Sequence, residues 1–310
     1  MSRPTRETLA GRRYLDLRNL ARKGKRPTDE LHQLYALEGF LARLAESAYA
    51  DRLVLKGGVL LAAFDMRRPT RDVDLEARRV SNDVGEILAM VRTIAAVPLD
   101  DGLALDGDSA TAELIRDLDA YSGVRVSLTG SLAAARLSFH VDVSVGDPIH
   151  PAPQRISLPR LLGEDHIALH GYPLPMVLAE KITTALQRGT ANTRWRDFAD
   201  VYFIAHRHRI DADELRAALA VVAGHRGAEP ASLAESLPGY ADLAQARWSA
   251  WRRRQRLEDR LPARFAEVLD ALTAFADPVL TGAVATGSAW LPEDLAWTPG
   301  DIAPPKPGTS

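Results

Sequence analysis

The sequence predicts an α+β protein in which a small mixed sheet with helices is followed by a helical half. Three observations carry that expectation. Residues 71–76 and 136–145 alternate with period two, the spacing of half-buried strands. Beyond residue 175 the apolar residues recur at helical spacing. Between the two patterns lies a joint punctuated by Pro151, Pro153, Pro159, Pro173 and Pro175. The expected division is a first domain over 1–165 and a helical domain over 166–310 with a packed Trp/Pro-rich tail.

In chain order, Thr5 caps an amphipathic helix over 5–22, and Thr28 caps a longer one carrying Leu31, Leu34, Tyr35, Phe40, Leu41 and Leu44. Residues 53–55 form a short buried strand that runs into Lys56-Gly57-Gly58, with a helix over 59–64 behind the turn. The strand over 71–76 puts its carboxylates on one face and Val73 and Leu75 on the other. A helix over 83–96 follows, then an acidic connection over 100–122 that could hold small strands. Residues 124–129 and 136–145 then make an antiparallel pair. In the second of these Ser138, His140, Asp142 and Ser144 share the polar face. The helical half reads as 175–189, 195–207, 211–224, about 230–258, and a helix from Pro262 to Phe275. Trp290 and Trp297 mark a tail that packs on the body.

Composition narrows the function classes. The 310 residues are 46% apolar and 26% charged, ordinary for a globular chain with a sizeable core. Cysteine is absent, which excludes disulfides, thiolate zinc sites, iron–sulfur clusters and cysteine nucleophiles. No apolar run reaches the ~20 residues of a membrane helix. The basic N-terminus lacks the apolar stretch of a signal peptide, so a cytoplasmic protein is expected. A net charge of −2 excludes a wholesale basic nucleic-acid binder but not a local basic patch. Lysine is rare: Lys23, Lys25, Lys56, Lys181 and Lys306 are the only five among 39 basic residues, so Lys56 and Lys181 stand out mid-chain.

Four constellations bear chemistry. Gly57 and Gly58 lack a Cβ, so their backbone can approach an anion closely. Asp72 and Asp74, two apart on a strand, project to one side and repel each other unless a cation sits between them, an arrangement suited to Mg²⁺. An exposed acidic strand edge beside an ordinary Gly turn would look the same. Asp142, on the polar face of a neighbouring strand, is the candidate third carboxylate of a two-metal site, while His140 reads as an ordinary polar residue. Lys181 either snorkels beside Val177, Leu178, Ile182 and Leu186 or reaches a triphosphate as a point charge. Arg194 and Arg196 can fork onto phosphate, whereas Asp197 and Asp200 also suit ordinary helix positions. Arg247, Arg252, Arg253, Arg254, Arg256 and Arg260 interleave with Trp248 and Trp251, as in a surface that holds phosphates and stacks bases. A solvated helix salt-bridged to Glu258 and Asp259 is the alternative. Thr70, two residues before Asp72, shares the face of the Asp pair if the strand already begins there. Its hydroxyl could then position a phosphate oxygen, or be phosphorylated as a charge switch.

With these residues in view, the chain resembles the AbiEii nucleotidyltransferases, toxins of bacterial type IV toxin–antitoxin systems that include the MenT toxins. The resemblance runs from about Leu31 to Trp297. It rests on Leu55-Lys56-Gly57-Gly58, Arg71-Asp72-Val73-Asp74, Asp101-Gly102-Leu103, Tyr121 to Val126, Val141 to Asp147, Ala179-Glu180-Lys181, Arg194 to Asp200, and Asp277-Pro278-Val279-Leu280. It implies a DNA polymerase β-like core with a helical C-terminal half. Metal binding would fall to Asp72, Asp74 and Asp142. Nucleotide phosphates would fall to Lys181 and the Lys56-Gly57-Gly58 turn, and Arg194 and Asp197 would line the site. The RNA contacts expected from the basic, Trp-bearing segment itself are Arg252, Arg253 and Arg256. The implied reaction moves nucleotides from an NTP to the 3′ end of tRNA and blocks aminoacylation; the implied partner is an antitoxin encoded nearby, and the toxin itself a monomer. Two departures from the family pattern are Val59, where a hydroxyl residue often follows Gly-Gly, and Arg196-Asp197, where Lys-Asp is common. The rival readings are a nucleotidyltransferase of small molecules such as antibiotics, which should carry an acidic acceptor pocket, and a non-catalytic nucleotide-binding protein.

Overall fold

A computed structural model describes residues 4–116, 122–229 and 231–299. The chain divides into two compact units, one running to Asp147 and including Pro153–Tyr172, the other comprising Pro148–Ala152 and the chain from Pro173 onward.

The first unit opens with helices α1 (Leu9–Lys23) and α2 (Thr28–Ala45). The cap of α1 is Thr8, not Thr5: its hydroxyl accepts the Gly11 N–H at 3.1 Å. Pro27 rather than Thr28 holds the cap position of α2, and Thr28 begins the helix itself. Strand β1 (Leu53–Lys56) leads into a four-residue helix α3 (Gly57–Leu60) and a 3₁₀ turn over Leu61–Phe64. After β2 (Asp72–Ala77) and helix α4 (Val84–Ala95) come β3 (Ala104–Arg116), β4 (Ser122–Leu132), β5 (Ala135–Val145), β6 (Gln154–Pro159) and β7 (His166–Gly171).

These seven strands form one mixed sheet in the order β3-β4-β5-β2-β1-β7-β6. It is larger than expected. The 104–116 stretch, read as an acidic connection, is a full strand paired to β4, with an irregularity between Asp106 and Thr111. The proline-punctuated joint contains the β6–β7 hairpin, and Pro159 sits at the end of β6, where it costs little pairing. β2 runs parallel to β5 and antiparallel to β1.

One face of the sheet is the core. Val73 and Leu75, Val124 and Val126, and Val141 and Val143 are all 0% exposed. Leu37, Phe40, Leu41 and Leu44 of α2 and Ile87, Val91 and Ile94 of α4 are buried as well, and the Phe40 ring meets Phe139 edge-on at 6.0 Å. Each such side chain contributes about 1.5–3 kcal/mol by burial. Asp101-Gly102-Leu103 fastens the helices: Arg43 forks onto Asp101 at 2.7 and 3.2 Å, and Tyr35 Oη donates to the Asp101 carbonyl at 2.7 Å. Gly102 has φ +76°, and a Cβ there would lie 2.8 Å from Ala10 Cα, so α1 can approach only a glycine. Tyr121 lies outside the described residues.

The second unit contains α5 (Leu174–Arg188), α6 (Trp195–Ala205), β8 (Ile210–Asp211), α7 (Ala212–Arg226), α8 (Leu233–Ser236), α9 (Tyr240–Arg254), α10 (Phe265–Leu280), β9 (Ala289–Leu291) and β10 (Ala296–Thr298). The expected helix over about 230–258 is two helices, broken around Gly239 at φ +66°. Asp277, from the Asp-Pro motif, accepts the Leu233 N–H at 2.6 Å at the start of α8. Its core is aromatic: Trp195, Phe198, Tyr240 and Trp248 surround Phe265. Trp290 and Trp297 pack on Phe275 at 5.0 and 5.6 Å. Among the described residues no helix is long and apolar enough to cross a membrane.

Candidate active site

The polar face of the sheet carries the acidic residues, and strand register decides which of them meet. Asp74 pairs with Lys56 across β1 and with Asp142 across β5. Asp142 pairs with Arg125 on β4, and Arg125 with Glu113 on β3. Cross-strand partners point the same way, so Glu113, Arg125, Asp142, Asp74 and Lys56 form one row of charges across five strands. Asp72 pairs with His140 in the next row, and His140 Nδ1 lies 3.0 Å from Ser127 Oγ.

The Gly-Gly turn abuts this row. Gly57 has φ +66°, and a Cβ there would fall 1.9 Å from Asp74 Oδ2. Only glycine lets the Asp74 carboxyl lie against the turn, where it also accepts the Gly58 N–H. The helix that follows is only a single turn long, so its dipole adds little positive charge at the turn. Thr70 precedes β2, which begins at Asp72, so strand alternation does not place it. Chain packing does: a Cβ on Gly58 would lie 3.0 Å from Thr70 Oγ1, and Thr70 is buried. The hydroxyl is beside the turn but not presented at the surface, as a kinase substrate would require.

Burial, then the charges of Asp142 and Asp72, push the Asp74 carboxyl up to about 6, against the pull of Lys56 and the Gly58 N–H. Asp142 is neutralised by a fork that sequence reasoning missed. Arg125 Nε and Nη2 donate to its two oxygens at 2.9 and 2.7 Å, and these bonds hold the guanidinium above its ordinary value. Arg125 stands in the Tyr121–Val126 motif, but only the β4–β5 register reveals its partner. Lys56 donates to Asp147 at 2.8 Å and Glu76 at 3.3 Å, and lies over the Tyr172 ring at 5.6 Å. Burial raises the Glu76 carboxyl, and the Asp147 N–H donates to it at 2.9 Å.

The donor chemistry of Asp72, Asp74 and Asp142 fits a hard divalent cation, and the raised Asp74 shows mutual repulsion that a cation would relieve. The side chains do not stand as a finished cage: among the described residues no three His, Asp or Glu groups converge on one point. Arg125 holds both oxygens of Asp142, and the Gly58 N–H holds Asp74.

The second unit holds its own charged cluster. Lys181 on α5 donates to Asp197 Oδ1 at 2.7 Å and Asp200 Oδ2 at 2.8 Å, both on α6. Arg194 Nε donates to Asp197 Oδ2 at 2.5 Å. Burial alone would raise the Asp197 carboxyl, but Lys181 and Arg194 overcome it and hold the group well below the usual carboxylate range.

The arginine-rich segment differs from its expected form. Trp248 and Trp251 are buried and stacked on each other at 5.3 Å, so neither can stack a base. Arg252 donates to the carbonyls of Leu261 and Glu258 at 3.0 and 2.8 Å, clamping the turn after α9. Arg253 and Arg256 are exposed. The aromatic periodicity marks the side of α9 that faces the core.

Comparison with known proteins finds the family described as nucleotidyl transferase AbiEii toxin, type IV TA system, matching residues 39–271. Comparison with curated proteins gives no match. Among solved structures, JHP933 from Helicobacter pylori aligns at 15% identity and TM-score 0.48, covering 82% of this chain and 92% of that one. A Helicobacter pylori protein described as a candidate nucleotidyltransferase aligns at 14% identity and TM-score 0.45, covering 82% and 95%.

Proposed function

The chain belongs to the AbiEii family of nucleotidyltransferase toxins of type IV toxin–antitoxin systems, and from that membership we propose that it moves nucleotides from an NTP to the 3′ end of tRNA. The observation that carries the proposal is the acidic row set against the Gly-Gly turn: Asp74 and Asp142 in register, Asp72 beside them, and a Gly57 whose missing Cβ lets the Asp74 carboxyl lie against the turn. On this reading the sheet unit is a DNA polymerase β-like core. The 3′-hydroxyl oxygen of the RNA bonds to the α-phosphorus as its proton passes to solvent, the bond from that phosphorus to the bridging oxygen breaks, and pyrophosphate leaves with the electron pair.

Asp72, Asp74 and Asp142 would hold Mg²⁺, which when bound lowers the pKa of an attacking hydroxyl and neutralises charge on the leaving group. The Gly57–Gly58 backbone and the Thr70 hydroxyl orient phosphate oxygens, and Lys56 adds positive charge beside Asp74. Lys181 and Arg194 serve as phosphate ligands, and Asp197 with Asp200 orients the Lys181 ammonium. Arg253 and Arg256 offer charge to RNA phosphates, with Arg252 acting indirectly through the turn it clamps. The protein acts as a cytoplasmic monomer restrained by an antitoxin encoded nearby. The test is incubation of radiolabelled NTPs with the full chain and total tRNA, an aminoglycoside, or neither, with Mg²⁺ or chelator. Label on tRNA that requires Mg²⁺ supports the reading. Label on the aminoglycoside alone, or on nothing, refutes it.

A further inference from the structure

The fork between Arg125 and Asp142 lies inside the acidic row and uses both carboxylate oxygens. A surface arginine with this geometry is an ordinary ion pair, but Asp142 is also the carboxylate that pairs in register with Asp74. A cation drawn to Asp74 and Asp142 therefore meets a guanidinium already occupying one of its ligands. Arg125 has two further anionic neighbours, Asp72 and Glu113, whose fields add to that of Asp142; Glu113 lies directly across from it on β3 and is exposed. The Arg125 side chain is 35% exposed and Asp142 16%, so the arginine has room to turn while the carboxylate stays in the row.

We propose that Arg125 competes with a divalent cation for Asp142, with Glu113 as the alternative partner of the guanidinium, so that Arg125 sets the cation affinity of the acidic row. Arg125 is then a positioning residue: it touches neither nucleotide nor acceptor and acts through Asp142. The balance of charge explains why two acceptors flank it. With Asp142 engaged by the guanidinium, the row from Glu113 to Lys56 has three carboxylates and two cationic groups. A divalent ion bound between Asp74 and Asp142 would sit next to Arg125 and repel it, and Glu113 offers a place one strand away that relieves the repulsion. This inference rests on the reading of the acidic row as a cation site.

The experiment is isothermal titration of the full chain with MnCl₂ at fixed ionic strength, alongside thermal unfolding in chelator and in Mg²⁺, for the wild type, Arg125→Met, Arg125→Lys, Glu113→Gln and Asp74→Asn. A charge-assisted fork is worth enough that its removal should tighten Mn²⁺ binding about tenfold in Arg125→Met. Arg125→Lys keeps the charge but not the fork, so it folds as wild type and falls between. Glu113→Gln should weaken binding severalfold. In chelator Arg125→Met should melt below wild type, and Mg²⁺ should raise its melting temperature by more than it raises that of wild type. Unchanged or weaker Mn²⁺ binding in both Arg125 variants overturns the proposal, as does a Glu113→Gln variant indistinguishable from wild type. The Asp74→Asn arm separates the two readings. If it abolishes binding while the Arg125 variants do not tighten it, this inference alone fails. If Mn²⁺ binding survives in Asp74→Asn, the cation reading of the row fails and takes this inference with it.

Discussion

The two charged clusters use the same residue types to opposite ends. On the sheet, Asp74 faces two further aspartates and is pushed up to about 6 by burial and by those charges. Between α5 and α6, Asp197 faces Lys181 and Arg194 and is held far below the ordinary range although it is buried too. Burial acts in the same direction on both carboxyls, so the sign of the shift is decided by neighbours. The sheet cluster carries like charges that raise Asp74, while each carboxylate of the helical cluster has a cationic partner.

The largest test of that contrast is catalytic. Asp72→Asn or Asp74→Asn should lower nucleotide transfer by roughly a thousandfold or more, because charge stabilisation carries phosphoryl-transfer chemistry. Far-UV circular dichroism should stay unchanged. Near-normal label transfer in both variants would remove the acidic row from the reaction.

Next in size is the stability of the complete cluster. Lys181→Met leaves Asp197 and Asp200 buried without their shared cation, which should cost about 3–5 kcal/mol in urea unfolding. Adding Asp200→Asn to Lys181→Met should recover part of the loss. Additive losses in the double variant would mean that Lys181 stabilises the unit by packing alone.

The pH dependence should run in opposite senses at the two sites. Because the native Asp74 carboxyl sits near 6, above its ordinary 3.8, the native state binds that proton more tightly than the unfolded chain does. Asp74 therefore costs stability as pH rises from about 4 to about 6. In chelator Asp74→Asn should unfold about 1–3 kcal/mol later at pH 7.5, with the gain gone near pH 4. For Asp197, whose native value is depressed, stability is present above the ordinary carboxylate range and lost as pH falls through it. Asp197→Asn should destabilise at pH 7.5 and matter progressively less on acidification. Parallel pH curves for the two variants would erase the contrast.

The smallest effect is on the arginine-rich helix. Arg253→Glu should weaken tRNA binding by a fewfold and make its salt dependence shallower. Arg252→Glu should instead lower the melting temperature, since Arg252 clamps the turn after α9. Equal losses of tRNA affinity without thermal change in both would put Arg252 back on the surface.

The legible parts of the molecule were those with a one-dimensional signature. Alternation located β2 and β5, and with them the shared face of Asp72, Asp74 and Asp142. Helical spacing placed α5, α6 and α7, and located α10, which begins at Phe265 rather than Pro262 and runs through Pro278 to Leu280. What a single strand cannot state is its register: that Asp74 faces Asp142 and Lys56, and that Arg125 forks onto Asp142, depends on pairing between segments far apart in sequence. The β6–β7 hairpin escaped because its prolines punctuate a loop and an edge strand alike. Trp248 and Trp251 misled because a basic helix with interleaved tryptophans has the same spacing whether the rings face solvent or core.

The order of strands in the sheet also bears on how the protein is made. β2 carries Asp72 and Asp74, yet its parallel neighbour β5 is not complete until Val145 has been added, and the parallel neighbour of β1 not until Gly171. A nascent chain that ends before Ala135 therefore holds Asp72 and Asp74 with β1 alongside but lacks Asp142, and the β5 side of β2 is left as an open edge. Such long-range pairing forms late in folding. Synthesis itself thus delays assembly of the acidic row, and a ribosome stalled before residue 135 holds a sticky strand rather than an active enzyme.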